Sequence, residues 1–518
     1  MKASRWNEAI FFVGGSLLLS VVGGVWLSTS TPYGMGLVND SAVYIGGARS
    51  LLAGNGYMRL SGDLGLKPIT HFPPLFSLTL MLAALVSQSD PLLAARWLMP
   101  LLFGLNISLL GGWVYLMTRR RDLALLASAL WAFSDWGLNL HTYVLSEPLF
   151  LTFFLLAFIT WLAYQHQPRP YWAGLNGFLA SLAYLTRYAG ATLLATFGLL
   201  LLGYAWREQR RWKDLRRWLI GALPLPALWT LYTWRVGEGV GNRQIAWHPI
   251  PLDTLRHGLQ NSLNALAPDW LIRLFPPLGS LFSALGLLAS LGLVIGIGLG
   301  VWRVCRQPKA VFPQWLAPVL FGGNYWGFLV LSISLLDAST PLDDRVLGPL
   351  YLTLLALSLV GLGWLLRYPG RWLRLIALIG VVVGVPLLMG DGVMRGQALR
   401  QEGLGFAHRE VQTTRLWDLL RQYPAGKYVY SDRPAAIHLY AERPCLPLPA
   451  PVDPVQARFR PDYEADLAEM KARIRAGQAI LVLFDLHRSG DAAYLGEITA
   501  DLGDPQMVDF VWVYGVLR

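Results

Sequence analysis

A polar stretch, NDSAVYIGGARSLLAGNGY at residues 39–57, lies directly after the first long apolar segment of the chain, and KPITHFPPLF follows it at residues 67–76. The first part predicts a helix over residues 41–53, with Asp40 as its N-cap. The Gly-Asn-Gly sequence that begins at Gly54 can end this helix, because such residues tolerate the left-handed conformation. The apolar side of the helix suits a position on a membrane surface.

The composition outside this stretch is that of a membrane protein. The chain has 518 residues, of which 54% are hydrophobic and 14% charged, and its mean hydropathy is +0.42. Repeated apolar runs of about 20 residues predict helices that cross a bilayer. The net charge of +11 does not indicate a nucleic-acid partner, because the Lys and Arg residues sit mainly in short clusters between the apolar runs.

The first apolar segment, near residues 6–27, is longer than the apolar core of a signal peptide and predicts a retained membrane helix. Basic residues precede it, so we expect a cytoplasmic N-terminus and an outer loop over residues 29–90. The apolar run of residues 73–88 is too short for a confident span. If it crossed, Arg119 and its basic neighbours would fall outside, so we place this run at the outer surface or as a re-entrant segment.

Ten further apolar runs alternate with basic clusters that then fall on the inside. With the first span, they predict a polytopic α-helical membrane protein of about eleven transmembrane helices, with juxtamembrane helices in a large first outer loop. The runs lie near residues 91–117, 122–138, 148–164, 171–187, 188–206, 218–235, 277–302, 311–336, 346–366 and 372–389.

The composition changes after about residue 390, where charged residues become common and the apolar runs shorten to strand length. We therefore predict two domains, a membrane module over residues 1–390 and a small extracytoplasmic α/β domain over residues 391–518. Its predicted strands lie at residues 427–431, 479–484 and 508–514, and its helices lie near residues 461–476 and 491–502.

Several short motifs together resemble the C-type (GT-C) integral-membrane glycosyltransferases. One is the outer helix with Asp40 and Tyr44 that ends in L-L-x-G-x-G-Y and is followed by P-P-L. The others are LSEPLF at residues 145–150, TRYAG at residues 186–190 and DRVLGPL at residues 344–350. The resemblance covers most of residues 1–390 and is greatest to the branch that contains protein O-mannosyltransferases and the bacterial aminoarabinose transferase of lipid A.

Such enzymes take a sugar from a polyprenyl-phosphate carrier on the outer face of the membrane. The resemblance implies that Asp40 is the general base and that Glu147 is a second active-site acid. The aminoarabinose-transferase pattern has a lysine just before Pro-Pro, which contacts the carrier phosphate, whereas this chain has Phe72 there. Lys67 and His71 are the candidates to replace that lysine.

A lipid-phosphate leaving group is already a stable anion, so one base and cationic stabilisation of the phosphate suffice for transfer. Asp40 would accept the proton of an acceptor hydroxyl that attacks the anomeric carbon with inversion. Arg187 and Arg345, each predicted at the outer end of a span, are the candidates to hold the phosphate. Tyr44 lies one helical turn after Asp40 and can support it or bind the sugar.

Each of these side chains also has a structural explanation. In the structural interpretation, Asp40 is an N-cap and has no catalytic role. Glu147 then only stabilises the positive end of the dipole of the helix that it begins. Arg187 can bond to free carbonyls at a helix end, and Arg345 can pair with the acids that precede it. The ring of Tyr44 can serve packing alone.

The sequence gives no metal-ligand spacing. A lone Asp40, rather than a D-x-D pair, argues against an obligatory divalent metal. His71 has no partner at a spacing typical of metal sites, so a structural role is its alternative. We expect no cofactor beyond the lipid-phosphate-linked sugar donor.

These observations predict an inverting glycosyltransferase of the cell (inner or plasma) membrane. Its expected partners are a polyprenyl-phosphate lipid, the bilayer and an acceptor that is a protein, a lipid or a polysaccharide, and no nucleic acid. Two other classes stay open: a transporter or flippase of lipid-linked glycans, and a non-catalytic membrane scaffold whose outer domain binds a partner.

Overall fold

The computed structural model describes residues 2–62, 65–208, 211–237, 245–264, 313–367, 369–453, 455–484 and 492–517. Seven of the helices in these ranges are long and apolar enough to cross a membrane, or eight if one bent pair is counted as a single span. The predicted polytopic helical architecture with a small C-terminal sheet is therefore confirmed. The predicted span over residues 277–302 lies outside the described residues.

The elements of the membrane part, in chain order, are α1 (Lys2–Ser30), α2 (Asn39–Leu52), β1 (Met58–Ser61), β2 (Gly65–Pro68), α3 (Leu75–Ser87), α4 (Pro91–Thr118), α5 (Arg121–Phe133), α6 (Asp135–Thr142), α7 (Glu147–His166), α8 (Pro170–Thr186), α9 (Ala191–Arg207), α10 (Trp212–Ala222), α11 (Pro224–Val236), α12 (Leu252–Asn264), α13 (Leu316–Leu335), α14 (Asp344–Leu365) and α15 (Arg371–Glu402).

The C-terminal part contains α16 (Arg409–Thr413), α17 (Leu416–Gln422), β3 (Tyr428–Ser431), α18 (Pro434–Tyr440), β4 (Leu446–Pro447), β5 (Val452–Asp453), β6 (Arg458–Phe459), α19 (Tyr463–Arg475), β7 (Ala479–Leu483), α20 (Ala492–Thr499), β8 (Gln506–Val508) and β9 (Val511–Tyr514).

Helix α2 begins two residues earlier than the sequence predicts, and Asp40 is not its N-cap. The N-cap is Val38, whose backbone N–H donates to the Oγ of Ser41 at 3.1 Å. The cap position is thus filled without the carboxylate, because Ser41 supplies the oxygen that the chain needs there. The predicted stop is present, since Gly54 and Gly56 have φ of 77° and 82°.

One side of helix α2 packs against protein. Tyr44, Ile45 and Ala48 are almost fully buried, because this side contacts α3 and the C-terminal helix α18, whereas Leu52 is 39% exposed. The hairpin β1–β2, which the sequence did not predict, follows α2. Helix α2 is therefore an internal element between the membrane part and the C-terminal part.

Helix α3 has the short length that the sequence predicts. It spans 13 residues, about 20 Å, which is less than a ~30 Å hydrocarbon core requires. Phe76 and Leu80 are fully buried against α2 and α4, whereas Leu82 and Val86 are exposed. One face of α3 thus packs on protein, and the other presents apolar surface.

Two predicted spans differ from the structure in their shape. The run predicted as one span over residues 122–138 is divided into α5 and α6, which meet at 55°. Ser134 makes the break, because its Oγ caps α6 by accepting from the N–H of Gly137 at 3.0 Å. The run over residues 218–235 is likewise divided, and Pro224 begins its second helix, α11.

Small residues let the membrane helices approach closely. Helices α8 and α10 meet at Gly177 and Gly221, where an added Cβ would lie 2.4 Å from the carbonyl oxygen of Trp218 and 2.3 Å from that of Gly174. At the same contact, the indole N–H of Trp218 donates to Asn176 at 3.1 Å. This pairing follows the small-residue packing that is typical of helices in lipid.

The C-terminal sheet has the strand order β4-β3-β7-β9-β8, with β3 and β7 parallel and β8 and β9 antiparallel. Strand β7 is buried along its whole length, as its continuous apolar run predicts. The single strand predicted over residues 508–514 is instead the end of β8, a turn and strand β9, because Asp509 adopts a φ of 55° between the two strands. Helix α15 continues through the predicted domain boundary at residue 390.

We predict that Gly177→Ala destabilises the protein by about 1–3 kcal/mol, because the new methyl group overlaps a backbone carbonyl that cannot move freely. Thermal unfolding of the detergent-solubilised protein measures this effect as a lower Tm. Gly323→Ala in α13 is the matched control, since a Cβ there meets no atom within 4 Å. Equal Tm values for the two variants would contradict the proposed role of the α8–α10 contact.

Candidate active site

Four helix ends meet at one place in the structure. Asp40 lies in the first turn of α2, Glu147 begins α7, Arg187 follows α8, and Arg345 lies in the first turn of α14. Arg345 bridges the two acids: its Nη1 is 2.9 Å from Oδ2 of Asp40, and its Nε is 3.2 Å from Oε1 of Glu147. Arg187 Nη1 is 2.7 Å from the same Glu147 oxygen. The four side chains form a line of alternating charge.

Burial differs along this line. The side chain of Glu147 is 5% exposed, whereas those of Asp40 and Arg345 are 31% and 33% exposed. Glu147 therefore lies at the protein interior and holds both arginines, while Asp40 lies at the accessible end. The two acids and two arginines balance in formal charge, which permits their burial.

Backbone hydrogen bonds hold Asp40 and Glu147 near each other. The N–H of Gly36 donates to the carbonyl of Thr142 at 2.8 Å, and the N–H of Val144 donates to the carbonyl of Gly36 at 2.9 Å. On the other side, the N–H of Phe406 donates to the carbonyl of Leu37 at 2.8 Å. The segment before α2 is thus fixed both to the loop before α7 and to the chain after α15.

Glycine is required at this crossing. A Cβ on Gly36 would lie 2.6 Å from the ring of Tyr143, and a Cβ on Gly405, which has a φ of 57°, would lie 2.2 Å from the carbonyl oxygen of Leu37. A larger residue at Gly36 would push the segment before α2 away from the loop that leads to Glu147, and one at Gly405 would push it away from the chain after α15.

The N-terminus of α7 is fixed by a buried polar cluster. Asn106 of α4 donates to the carbonyl of Pro148 at 2.9 Å, and Thr152 donates to the Oδ1 of Asn106 at 2.8 Å. The ring of His141 contacts the same amide at 2.9 Å. These bonds place the first turn of α7, and with it Glu147, relative to α4 and α6.

Ser146 and Tyr44 complete the interior of the site. Arg187 Nη1 donates to the Oγ of Ser146 at 3.2 Å, and the hydroxyl groups of Tyr44 and Ser146 are 2.9 Å apart. Burial raises the pKa of Tyr44, so its phenol stays protonated. Tyr44 thus supports the arginine side of the site through Ser146, while its ring packs against Phe72 at 4.9 Å.

Arg187 keeps its charge in this setting. Burial opposes the charged form, but Glu147 and then Tyr44 favour it, and the net effect raises the pKa of the guanidinium. A permanent cation therefore lies at the interior end of the site.

A cavity of about 310 Å³ opens beside these groups, and we call it the arginine cavity. Its polar lining includes Asp40, Tyr44, His71, Arg187, Tyr188, Ser332, Asp337, Ser339, Thr340 and Arg345. Apolar side chains, among them Phe72, Phe328 and Leu329, form one wall. The combination of cations with an apolar wall suits a ligand that joins an anionic group to hydrocarbon.

A second cavity, of about 400 Å³, lies on the other side of Arg345, and we call it the polar cavity. Its lining includes Asn139, Asn261, Asp344, Arg345 and Arg395. Amide and carboxylate groups of this kind bind hydroxyl-rich ligands. Arg345 is thus a wall that the two cavities share.

The structure separates the candidates for the missing lysine. His71 lines the arginine cavity, with its ring 4.4 Å from that of Phe72. Lys67 lies on the exposed strand β2 opposite Arg59 and lines neither cavity. Of the two candidates, His71 is therefore the one that lies beside Arg187 and Arg345.

The acid before Arg345 has a capping role. Asp343 Oδ1 caps α14 by accepting from the N–H of Val346 at 3.1 Å, while Arg345 reaches Asp40 and Glu147. Sequence reasoning missed Ser146 and the second cavity. Ser146 carries no signal beyond its place before Glu147, and the cavity is formed by segments that are distant in the chain.

Among the described residues, no group of three or more His, Cys, Asp or Glu side chains is placed to hold a metal ion. The acids of the site are instead engaged by arginines.

Comparisons with known proteins place this geometry in context. Residues 55–234 match the family described as dolichyl-phosphate-mannose-protein mannosyltransferase. A search of curated proteins finds no match to the sequence.

Solved membrane proteins align over most of the chain. The oligosaccharyltransferase of Archaeoglobus fulgidus, in complex with Zn and sulfate, aligns with a TM-score of 0.60 and 12% identity over 93% of this chain and 69% of that chain. ArnT of Cupriavidus metallidurans in the apo state aligns with a TM-score of 0.53 and 14% identity over 99% and 98% of the two chains. The same protein bound to undecaprenyl phosphate aligns with a TM-score of 0.50 and 14% identity over 98% of each chain.

The chain therefore has the fold of the C-type (GT-C) membrane glycosyltransferases, and the resemblance found in the sequence is confirmed. Residues 55–234 are similar to the protein O-mannosyltransferases, and the chain shares its fold with ArnT.

We predict that Glu147→Ala destabilises the protein by about 3–5 kcal/mol, because it leaves two arginines at the interior without their shared counter-ion. Thermal unfolding in detergent measures the change. The control is Asp418→Ala, which removes the acid of an exposed pair with Arg421 and costs about 0–1 kcal/mol. A Glu147→Ala protein as stable as the control would show that the site does not depend on this carboxylate.

Proposed function

We propose that the protein is an inverting glycosyltransferase that moves a sugar from a polyprenyl-phosphate carrier to an acceptor hydroxyl at the outer face of the membrane. The observation that carries this proposal is the line Asp40–Arg345–Glu147–Arg187, which borders a cavity with an apolar wall. ArnT, whose fold the chain shares, has been crystallised with undecaprenyl phosphate.

The carrier phosphate binds in the arginine cavity in this proposal. Arg187 and Arg345 supply the cations, His71 adds a polar group, and the apolar wall near Phe328 accepts the first part of the prenyl chain. Arginine suits this role because its donors match phosphate oxygens in pairs.

Binding of the phosphate also prepares the base. Arg345 now bonds to Asp40 through Nη1 while Nε lies against Glu147. A guanidinium has five donors, so Arg345 can keep its contact with Glu147 while Nη1 turns from Asp40 to the incoming phosphate. Donor binding thereby releases the carboxylate that the reaction needs.

The released Asp40 then acts as the general base. It accepts the proton of an acceptor hydroxyl, and the hydroxyl oxygen forms a bond to the anomeric carbon while the bond from that carbon to the phosphate oxygen breaks. The electron pair leaves with the lipid phosphate, whose charge the two arginines stabilise. Attack from the side opposite the leaving group inverts the anomeric carbon.

Glu147 has a positioning role in this scheme. Its carboxylate is 5% exposed and lies against both arginines, so it orients the cations rather than taking a proton from the acceptor. The sequence suggested a second active-site acid, and we assign it this supporting function.

The acceptor approaches from the polar cavity. Asn139, Asn261 and Asp344 offer donors and acceptors for hydroxyl groups there, and Arg345 separates this space from the phosphate. The acceptor is a hydroxyl compound of the protein, lipid or polysaccharide class, and the sugar is a hexose or a pentose.

We further propose that the N-terminus is cytoplasmic and the C-terminal domain extracytoplasmic.

We predict that Asp40→Asn lowers kcat by about 100- to 10,000-fold, because the amide cannot accept the proton. The measurement is transfer of radiolabelled sugar from a polyprenyl-phosphate donor to a membrane-extract acceptor. Asp122→Asn, at an exposed acid of α5, is the matched control and keeps wild-type activity.

Two results would contradict this assignment. Full activity of Asp40→Asn would remove the proposed base. Accumulation of the lipid-linked sugar across proteoliposomes, with no covalent product from the wild-type protein, would show transport instead of transfer.

We predict that Arg345→Lys weakens binding of undecaprenyl phosphate about tenfold, because an ammonium group cannot reach Glu147 and the phosphate together. Native mass spectrometry or thermophoresis gives the Kd. Arg421→Lys, at an exposed pair of the C-terminal part, serves as the control. Equal affinity in the two variants would exclude Arg345 from the phosphate site.

A further inference from the structure

A third cavity, of about 320 Å³, lies on the opposite side of α2 from the active site. Gly46, Arg49 and Ser50 line it, whereas Asp40 and Tyr44 line the arginine cavity. At 100° per residue, these two sets fall on opposite faces of the helix. The hairpin β1–β2 and the C-terminal part close the space, so we call it the hairpin cavity.

The hairpin cavity contains a cation that has no ion pair among the described residues. Arg59 of β1 lines it, and the Nε of Arg59 is buried without a hydrogen-bond partner. Burial lowers the pKa of this guanidinium, and no acid opposes the effect. An arginine in this state is costly unless an anion accompanies it.

The other charges of the cavity are already matched. Arg49 forms a two-point pair with Asp90 at 2.8 and 3.0 Å and lies 3.6 Å from Glu442. Burial and the nearby Arg59 lower the pKa of His438 to about 4, so the imidazole is neutral at neutral pH. Its Nε2 accepts from the N–H of Cys445 at 3.2 Å. Asp90 and Glu442 thus both lie against Arg49, and His438 is uncharged, so none of these groups supplies an anion for Arg59.

A second orphan group lies in the same cavity. Ser50 is 7% exposed, and its Oγ has no hydrogen-bond partner in the described part of the chain. A buried hydroxyl without a partner is unusual in a folded protein. Ser50 and Arg59 thus offer a donor and a cation to the same empty space.

We propose that the hairpin cavity binds a phosphate group, with Arg59 and Ser50 as its contacts. The phosphate is soluble inorganic phosphate or the phosphodiester of a lipid headgroup. The cross-strand pair of Leu60 and Leu66, which also lines the cavity, provides apolar surface for the carbon atoms of a headgroup. This site is distinct from the carrier-phosphate site in the arginine cavity.

A ligand in this place joins two parts of the protein. Arg49 of α2 already donates to the carbonyl of Leu439 in α18 at 2.9 Å. A phosphate between α2 and the hairpin adds a further contact on the face opposite Asp40, beside His438 of α18. Anion binding therefore stabilises the C-terminal part against the helix that carries the proposed base.

The test uses the full chain with two probes. Calorimetry measures binding of inorganic phosphate to the detergent-purified protein, and native mass spectrometry measures bound phosphatidylglycerol against phosphatidylcholine after release from nanodiscs. The variants are Arg59→Gln, which removes the cation, and Gly46→Leu, which fills the space because a Cβ there meets nothing within 4 Å. Arg458→Gln, at an exposed arginine of β6, is the control.

We expect both variants to bind at least one probe about tenfold more weakly than the control, since each removes a contact or the room for the anion. Weaker binding of inorganic phosphate by the variants identifies a soluble ligand, and weaker binding of phosphatidylglycerol alone identifies a lipid headgroup. Unchanged binding of both probes by both variants overturns the proposal. If Arg59→Gln does not fold, Gly46→Leu still decides, because it leaves every charge in place.

Discussion

The carboxylate of Glu147 is the interaction on which the site depends. One oxygen lies within 3.2 Å of two arginines that come from different helices, α8 and α14. Two cations at close range repel, so only an acid between them allows both to face the same cavity. The bonds that fix this acid come from Asn106 and the loop before α7, which places the origin of the site inside the membrane part.

The accessible end of the line has a different character. Asp40 is bound to Arg345, and both side chains are about one-third exposed. Such a pair is easily exchanged, because solvent screens it and Arg345 retains another acid. The site thus combines a fixed interior at Glu147 with an exposed carboxylate, that of Asp40, which an incoming anion can displace from Arg345. This asymmetry explains how one carboxylate can organise the site while the other is available for chemistry.

Much of this arrangement could be predicted from the sequence. Apolar length and basic clusters predict the spans, and short motifs identify Asp40, Glu147, Arg187 and Arg345 before any coordinates. What could not be predicted is which acid meets which arginine, because Asp40 and Arg345 are 305 residues apart in the chain.

The errors have local causes. Asp40 was predicted as an N-cap because the sequence does not show that Val38 is the N-cap and that Ser41 accepts from its backbone N–H. The burial of α2 against α3 and α18 could not be predicted, because an apolar face looks the same whether lipid or protein covers it. The hairpin β1–β2 was missed since its strands are only four residues long.

Helix α15 sets a geometric condition on the whole molecule. Its 32 residues make a rod of about 48 Å, whereas the hydrocarbon core is ~30 Å thick. The helix is thus about 18 Å longer than a perpendicular crossing needs, and Pro386 lies within it. Near its end, Gly396 packs closely against Trp26 of α1. The start of the C-terminal part is consequently tied to the membrane helices by packed side chains rather than carried on a free linker.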